Sequence, residues 1–77
     1  MPRLNNIRPA DAAKFLTDHG WKLYNRKGSH ETYIKNIDGK EYFCQVICNS
    51  KTIYWKNVNI MIKKSMIPEK EWLEKFG

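Results

Sequence analysis

Residues 21–47, with the sequence WKLYNRKGSHETYIKNIDGKEYFCQVI, decide the fold of this chain. Apolar and polar residues alternate in WKLYNRK (residues 21–27), which predicts a half-buried strand. A second strand, HETYIKN (residues 30–36), follows the short KGS connection, and the Asp-Gly pair at 38–39 is a strong hairpin signal. The third strand is EYFCQVI (residues 41–47), which is rich in β-branched and aromatic residues. The stretch therefore predicts three antiparallel strands in meander order.

A strict alternation along the first strand divides its side chains between two faces. Trp21 and Leu23 then share one face, and Lys22, Tyr24 and Arg26 share the other. We expect the face that carries Trp21 to point toward the core.

Helical spacing flanks the predicted sheet on both sides. The segment PADAAKFLTDHG predicts a helix from about Pro9 to His19, with a stop at Gly20. After the sheet, a second helix is expected to begin near Asn57, a good capping residue, and a short last helix at Pro68. The apolar sides of these helices are formed by Ala12, Phe15, Leu16, Val58, Met61, Ile62, Trp72, Leu73 and Phe76.

The order helix, three strands, helix and short helix predicts an α+β fold. The helices are expected to cover one face of the antiparallel sheet, and the other face is left open or is covered by a partner. A chain of 77 residues has room for one core, so residues 1–77 are predicted to form a single domain.

The aromatic side chains must supply most of the core, because the chain has few other large apolar groups. The rings expected inside are those of Phe15, Trp21, Phe43 and Trp72. The rings left as exposed platforms for nucleic-acid bases or for a partner protein are those of Tyr24, Tyr54 and Trp55.

The net charge of +6 is concentrated in the middle of the chain. Between Gly20 and Lys64 there are nine basic and three acidic residues, while the flanking segments are nearly neutral. Because Lys and Arg side chains neutralise phosphates and release counterions, a polyanion is the natural partner of such a segment. The alternative is that the charge serves solubility alone.

The two cysteines and the absence of long apolar runs bear on localisation. Cys44 and Cys48 lie four residues apart in a predicted strand, and at roughly 3.3 Å per residue they are about 13 Å apart, too far for a disulfide. We therefore expect free thiols and a reducing cytoplasm. No apolar run is long enough for a membrane span, and the N-terminal residues lack the apolar core of a secretion signal, so no membrane partner is expected.

His30 is the candidate functional residue. It follows the Gly28-Ser29 connection, and Arg26, Lys27 and Lys35 are within a few residues. A histidine side chain can exchange a proton near neutral pH, and nearby cations favour the neutral imidazole that a general base requires. The alternative is a strand-edge histidine with no role. The other histidine, His19, is expected to interact with the negative end of the first helix.

Metal chemistry is not indicated by the pattern of ligand-type residues. A metal nuclease needs clustered carboxylates, whereas the acidic residues here are scattered or lie in EKEWLE, an exposed helical stretch. Cys44 and Cys48 lie in an apolar strand and lack the loop that structural zinc sites use, so core packing is the expected role of these cysteines. We expect no cofactor.

The chain resembles the HicA family of toxin ribonucleases from about Lys14 to Phe76. The resemblance is sharpest in DHGWKLYNRKGSHETY and rests on Gly28-Ser29-His30, followed by Tyr33 and the Asp-Gly hairpin. It implies an α-β-β-β-α fold of the double-stranded-RNA-binding type, cleavage of mRNA by the histidine of the Gly-Ser-His motif, and a cognate HicB antitoxin as partner. By this resemblance His30 is the catalytic residue.

One part of the family pattern is missing. Family members commonly carry a Pro-x-His after the third strand, and this chain has Val46-Ile47-Cys48 there, so Cys48 is a candidate for the place of the second histidine.

RNA supplies its own nucleophile in the 2′-hydroxyl, so a base and a set of cations are sufficient for metal-independent cleavage. The residues expected to contact RNA are Lys22, Arg26, Lys27, Gly28, Ser29 and Lys35. Two alternatives stay open: a non-catalytic RNA-binding module of the same fold, and a domain that works through protein contacts at Tyr54 and Trp55.

Overall fold

The computed structural model describes residue 4 and residues 6–77 and has the predicted order of elements. The bounds are α1 Pro9–Asp18, β1 Lys22–Lys27, β2 His30–Ile37, β3 Lys40–Ile47, α2 Trp55–Ser65 and α3 Glu69–Phe76. The three strands form one antiparallel sheet in the order β1-β2-β3. The α+β class and the antiparallel meander are therefore confirmed.

Two tight turns set the register of the sheet. Gly28 has a φ of +60°, whereas Ser29 does not have a positive φ, which is the sign pattern of a type II′ hairpin turn. Asp38 and Gly39 both have positive φ, at +53° and +81°, as a type I′ turn requires. The first turn sets Lys27 opposite His30, and this pairing decides which cation lies beside the imidazole.

The strict alternation predicted for β1 is wrong. The register shifts between Leu23 and Asn25, so that β1 contains one more residue than the β2 segment it faces. Lys22 pairs with Ile34 and Lys27 pairs with His30. Since partners in an antiparallel ladder share a face, the bulge brings two lysines, five residues apart in sequence, to the same side of the sheet.

The buried residues of the sheet lie on one face, where the helices pack. Tyr33, Cys44 and Val46 are buried there, and the Cys44 thiol lies 3.6 Å from the Met61 carbonyl of α2. We call the opposite side of the sheet the open face. The open face carries Lys22, Tyr24, Asn25, Lys27, His30, Thr32, Ile34, Phe43, Gln45 and Ile47.

The core confirms three of the four predicted internal rings. Phe15, Trp21 and Trp72 are buried, and the Phe15 and Trp72 ring centroids are 4.5 Å apart. Phe43 is the exception: it pairs with Ile34 on the open face, and 46% of its surface is exposed. The prediction of an internal Phe43 is therefore wrong. Tyr24 and Tyr54 are exposed as predicted, and Trp55 is half-buried.

The second helix begins earlier than predicted. α2 begins at Trp55, with Tyr54 at the N-cap position and no side-chain cap, so Asn57 lies inside the first turn instead of capping it. The helix ends at Ser65, and its C-cap residue Met66 has a left-handed φ of +60°. Because Asn57 is free of a capping role, its side chain can line the surface between α2 and β3.

Candidate functional site

His30 is the first residue of β2 and is exposed on the open face. It faces Lys27 across the β1 ladder and Ile47 across the β3 ladder. No side-chain hydrogen bond or ion pair among the residues that the structure describes involves its ring. The imidazole is therefore open to an incoming ligand, as the sequence predicts.

A groove lies in front of His30, between the open face of the sheet and α2. Its volume is about 450 Å³. The sheet contributes His30, Thr32, Phe43, Gln45 and Ile47, and α2 contributes Asn57, Ile60, Met61 and Lys64. Among the described residues that line it there is no Asp or Glu. The groove thus joins one imidazole, one ammonium group, two amides and an apolar surface.

Two lysines from different elements bring positive charge to the groove, and one of them lies beside the imidazole. Lys27 is its direct cross-strand neighbour, and such neighbours have Cβ atoms about 4.5–5.5 Å apart. Lys64 lines the same groove from α2. Sequence reasoning did not single out Lys64. The helical spacing of Asn57, Ile60 and Lys64 is the signal that places these three residues on one side of α2.

The predicted RNA-contacting residues divide between the two faces of the sheet. Gly28 and Ser29 form the turn before His30, and Lys27 and Lys22 lie on the open face. Lys22 lies opposite Ile34, two cross-strand pairs farther from His30 than Asn25 is. The structure therefore groups Lys27 with His30 and keeps Lys22 on the same surface at a distance.

Arg26 and Lys35 do not join this group. Arg26 pairs with Glu31 in the ladder, and its Nε lies 3.7 Å from the Glu31 carboxylate, on the face opposite to His30. Lys35 also points to the helix side, where its Nζ donates a hydrogen bond of 2.7 Å to the His19 carbonyl at the end of α1. The prediction that these two cations surround the imidazole is corrected, because alternation along the strands turns them away.

Cys48 does not take the place of a second histidine beside His30. Ile47 is the direct neighbour of His30, and the next residue faces the other side of the sheet. Burial, the charge of Glu31 and a hydrogen bond to Glu31 raise the pKa of the Cys48 thiol. A protonated thiol on the opposite face cannot serve as a base for chemistry at the imidazole.

His19 has the structural role that the sequence predicts. Its Nδ1 lies 2.8 Å from the Phe15 carbonyl in the last turn of α1, and its Nε2 lies 3.3 Å from a Glu71 carboxylate oxygen in α3. The ring therefore ties the end of α1 to α3, and it is separate from the groove at His30.

Both cysteines are free thiols, and no three His, Cys, Asp or Glu side chains cluster as metal ligands within residue 4 and residues 6–77. Over the same residues, no helix has both the length and the apolar character required to cross a lipid bilayer.

No family model, curated protein or solved structure matches the chain. The case for a function therefore depends on the geometry at His30 and on the resemblance carried by Gly28-Ser29-His30.

Proposed function

We propose that the chain is an endoribonuclease that cleaves single-stranded RNA without a metal, with His30 as its catalytic residue. The observation that carries the proposal is the exposed imidazole in a groove that contains Lys64, has Lys27 at its side and has no carboxylate among its described lining residues. A phosphodiester placed at His30 meets a base and the neighbouring Lys27, and Lys64 adds positive charge to the same groove.

The residues present are sufficient for internal transesterification. His30 removes the proton of the 2′-hydroxyl, and the 2′-oxygen then forms a bond to the adjacent phosphorus. The ammonium group of Lys27, beside His30, stabilises the negative charge of the phosphorane, and Lys64 adds to the positive potential of the groove. The bond from phosphorus to the 5′-oxygen breaks, and that oxygen takes a proton from the imidazolium or from water. The products are a 2′,3′-cyclic phosphate and a 5′-hydroxyl.

The biological setting that we propose is a toxin of the HicA type acting on mRNA in the cytoplasm. The support is the Gly28-Ser29-His30 turn and the helix, three-strand, helix order, which is compatible with a fold of the double-stranded-RNA-binding type. A HicB-like antitoxin that covers the groove at His30 is the proposed partner. DNA is not a substrate of this chemistry, because it lacks the 2′-hydroxyl.

The decisive experiment compares the wild type with His30→Ala on a single-stranded RNA in EDTA. We expect the wild type to cleave, with 2′,3′-cyclic phosphate ends, and His30→Ala to cleave about 10²- to 10⁴-fold more slowly, the usual contribution of a general base. His19→Ala is the matched control and should retain activity, since that ring contacts α3 and not the groove. Equal cleavage by wild type and His30→Ala contradicts the proposal, as does cleavage by neither.

A second candidate function is RNA binding without catalysis. It is favoured by one observation: among the described residues that line the groove, His30 is the sole imidazole and no carboxylate accompanies it as a second acid or base. In that case RNA binding weakens steeply with salt, and no cleavage products form. Product analysis after prolonged incubation of the wild type therefore distinguishes the two candidates.

A further inference from the structure

We infer that the groove holds one unstacked base of the RNA near the cleaved bond, with Phe43 as its stacking surface and Gln45 and Asn57 as the side chains that hydrogen-bond its edge. This inference rests on the proposed function and deepens it, because it makes the groove a base-selecting subsite in addition to a place for the phosphate. It is carried by three features of the lining.

The first feature is the exposed aromatic surface. Phe43 is 46% exposed on the open face, and Tyr24 meets it edge-on with ring centroids 5.5 Å apart. The Tyr24 contact holds the Phe43 ring from one side, and the ring also lines the groove. Aromatic rings on an open β-sheet face stack on unpaired bases, because every base has a π-face.

The second feature is the pair of amides. The Gln45 amide nitrogen lies 3.5 Å from the Thr32 hydroxyl, a long contact that leaves the amide able to exchange partners. Asn57 reaches the groove from the first turn of α2. An amide side chain both donates and accepts hydrogen bonds, which is what the Watson–Crick edge of a base requires.

The third feature is the size and charge of the groove. A volume of about 450 Å³ lies within the range of small-ligand pockets, roughly 300–1,000 Å³. Lys64 lines it, Lys27 adjoins it, and the described lining residues include no acid. A base together with the phosphates of neighbouring nucleotides can engage these groups, whereas an apolar protein side chain leaves the amides and the lysines without partners.

The cross-strand pairs fix the order of these contacts. His30 with Ile47, Thr32 with Gln45, and Ile34 with Phe43 are three successive pairs on the open face. Phe43 is thus four residues along the strand from the His30 pair, about 13 Å at 3.3 Å per residue. The stacked base therefore belongs to a nucleotide near the reacting ribose and not to that ribose itself.

The test measures RNA binding in the His30→Ala background, so that cleavage does not interfere. The probe is a short single-stranded RNA that carries one 2-aminopurine, moved through successive positions. We expect its fluorescence to be quenched strongly at one position, and we expect Phe43→Leu to abolish that quenching and to weaken binding roughly ten- to hundredfold. Leu23→Ala is the matched control, because Leu23 is a similarly exposed strand residue, at 54%, on the other face.

Base selection is tested separately with Gln45→Ala and Asn57→Ala. For each variant we expect the ratio between the affinities for the preferred base and for the other bases at the quenched position to fall by about tenfold or more. A poly-uridine probe, which offers no choice of base, should bind each variant with an affinity within a few-fold of its affinity for the parent protein. Unchanged affinity and unchanged quenching for Phe43→Leu overturn the inference. If in addition wild type self-associates through this face and Phe43→Leu is monomeric, the groove is a protein interface instead.

Failure of the inference and failure of the proposed function are distinguishable. If wild type cleaves through His30 while Phe43→Leu binds and cleaves like the parent, the base subsite alone is overturned. If wild type neither binds nor cleaves RNA, the function itself fails and the inference fails with it.

Discussion

At the scale of single residues, the helix-side end of the sheet has a cluster built around one carboxylate. The Tyr33 hydroxyl donates a hydrogen bond of 3.1 Å to Glu31, and Arg26 lies 3.7 Å from the same carboxylate. Burial, with the charge and hydrogen bond of Glu31, raises the pKa of Tyr33 to about 12, and the same factors raise the pKa of Cys48. Tyr33 and Cys48 therefore stay protonated near neutral pH, and with the Arg26–Glu31 ion pair they support the start of β2 from the helix side.

Cys44 gives a prediction about stability at alkaline pH. Burial raises the pKa of its thiol from an ordinary value of 9.0 to about 12, with a small opposing effect of Lys64. The unfolded chain therefore loses this proton first, and the stability that the protonated thiol contributes is complete below about pH 9 and is lost as the pH rises toward 12. Tyr33 acts in the same direction between pH 10 and about 12.

Urea unfolding at pH 7, 9, 10 and 11 measures this loss. We expect the free energy of unfolding of the wild type to fall above pH 9, with a slope of at most about 1.4 kcal/mol per pH unit for each group. Cys44→Ala is less stable at pH 7 but should show a shallower fall between pH 9 and 10, where Cys48, whose pKa is also raised, contributes to both proteins alike. Equal slopes for the two proteins in that interval contradict the assignment.

The predictions made for single residues from the sequence succeed or fail for physical reasons. The exposure of His30 follows from its place at the first residue of β2, on the face of the sheet opposite to the one that carries the buried residues. The error at Phe43 arose because both faces of β3 are largely apolar: Tyr42, Cys44 and Val46 alternate with Phe43, Gln45 and Ile47. Alternation identifies the two sets of side chains, but only the packing of the helices decides which set is buried.

At the scale of elements, the end of α2 carries local strain. Met66 has a left-handed φ of +60°, a conformation that costs a residue with a side chain about 1–2 kcal/mol, and its side chain is exposed. Helices more commonly end with glycine at such a position. The sequence has no glycine there, so only the spacing of the apolar residues indicates where α2 ends.

Met66→Gly is therefore expected to stabilise the protein by up to about 1 kcal/mol, the relieved strain less the larger chain entropy of glycine. The free energy of unfolding in urea at pH 7 is the measurement. Gly39→Ala is the opposite control: it puts a side chain at a φ of +81° and should destabilise the protein by about 1 kcal/mol. A destabilised Met66→Gly shows that the exposed methionine makes contacts that outweigh the strain.

The groove explains why element-scale prediction missed part of the site. Asn57 and Lys64 line the groove from α2. This helix is distant in sequence from His30 and begins two residues before the expected cap. Local spacing places both side chains on one side of a helix, but it carries no information on which strand that side meets. The contact between α2 and the β3 edge is a tertiary property.

At the scale of the whole molecule, the two fully buried tryptophans of the core differ in their hydrogen bonding. Trp72 is 0% exposed, and its Nε1 donates to the Ser65 hydroxyl at 3.3 Å. Trp21 is 1% exposed, and within residue 4 and residues 6–77 its Nε1 has no hydrogen-bond partner. One ring therefore combines packing with a satisfied polar group, and the other carries an unsatisfied buried donor.

This difference predicts unequal costs for the same substitution. Trp72→Phe should destabilise the protein by about 0.5–1.5 kcal/mol more than Trp21→Phe, because it removes a hydrogen bond as well as ring volume, whereas Trp21→Phe removes a donor that is unpaired. Thermal and urea unfolding of the two variants give the comparison. An equal or larger cost for Trp21→Phe indicates that its N–H is satisfied in solution, for example by water.

The global arrangement was predictable because its signals are local and agree with one another. The Asp-Gly hairpin, the period of two through the strands and the period of 3.6 on either side leave few ways to connect the elements. The bulge in β1 was not predictable, since the apolar–polar alternation in WKLYNRK is clear only as far as Leu23 and the polar residues that follow do not fix a face.

The bulge also has a consequence for how this hairpin tolerates changes in length. Because Leu23 pairs with Tyr33 and Asn25 with Thr32, Tyr24 is the residue of the bulge that has no cross-strand partner in the ladder. A chain that lacked Tyr24 would keep every other cross-strand pair, so the loss of this one codon would remove an aromatic ring beside Phe43 and leave Lys27 facing His30. Length variation at this point would therefore alter the proposed base subsite at Phe43 and leave the proposed catalytic residue His30 and its neighbour Lys27 in place.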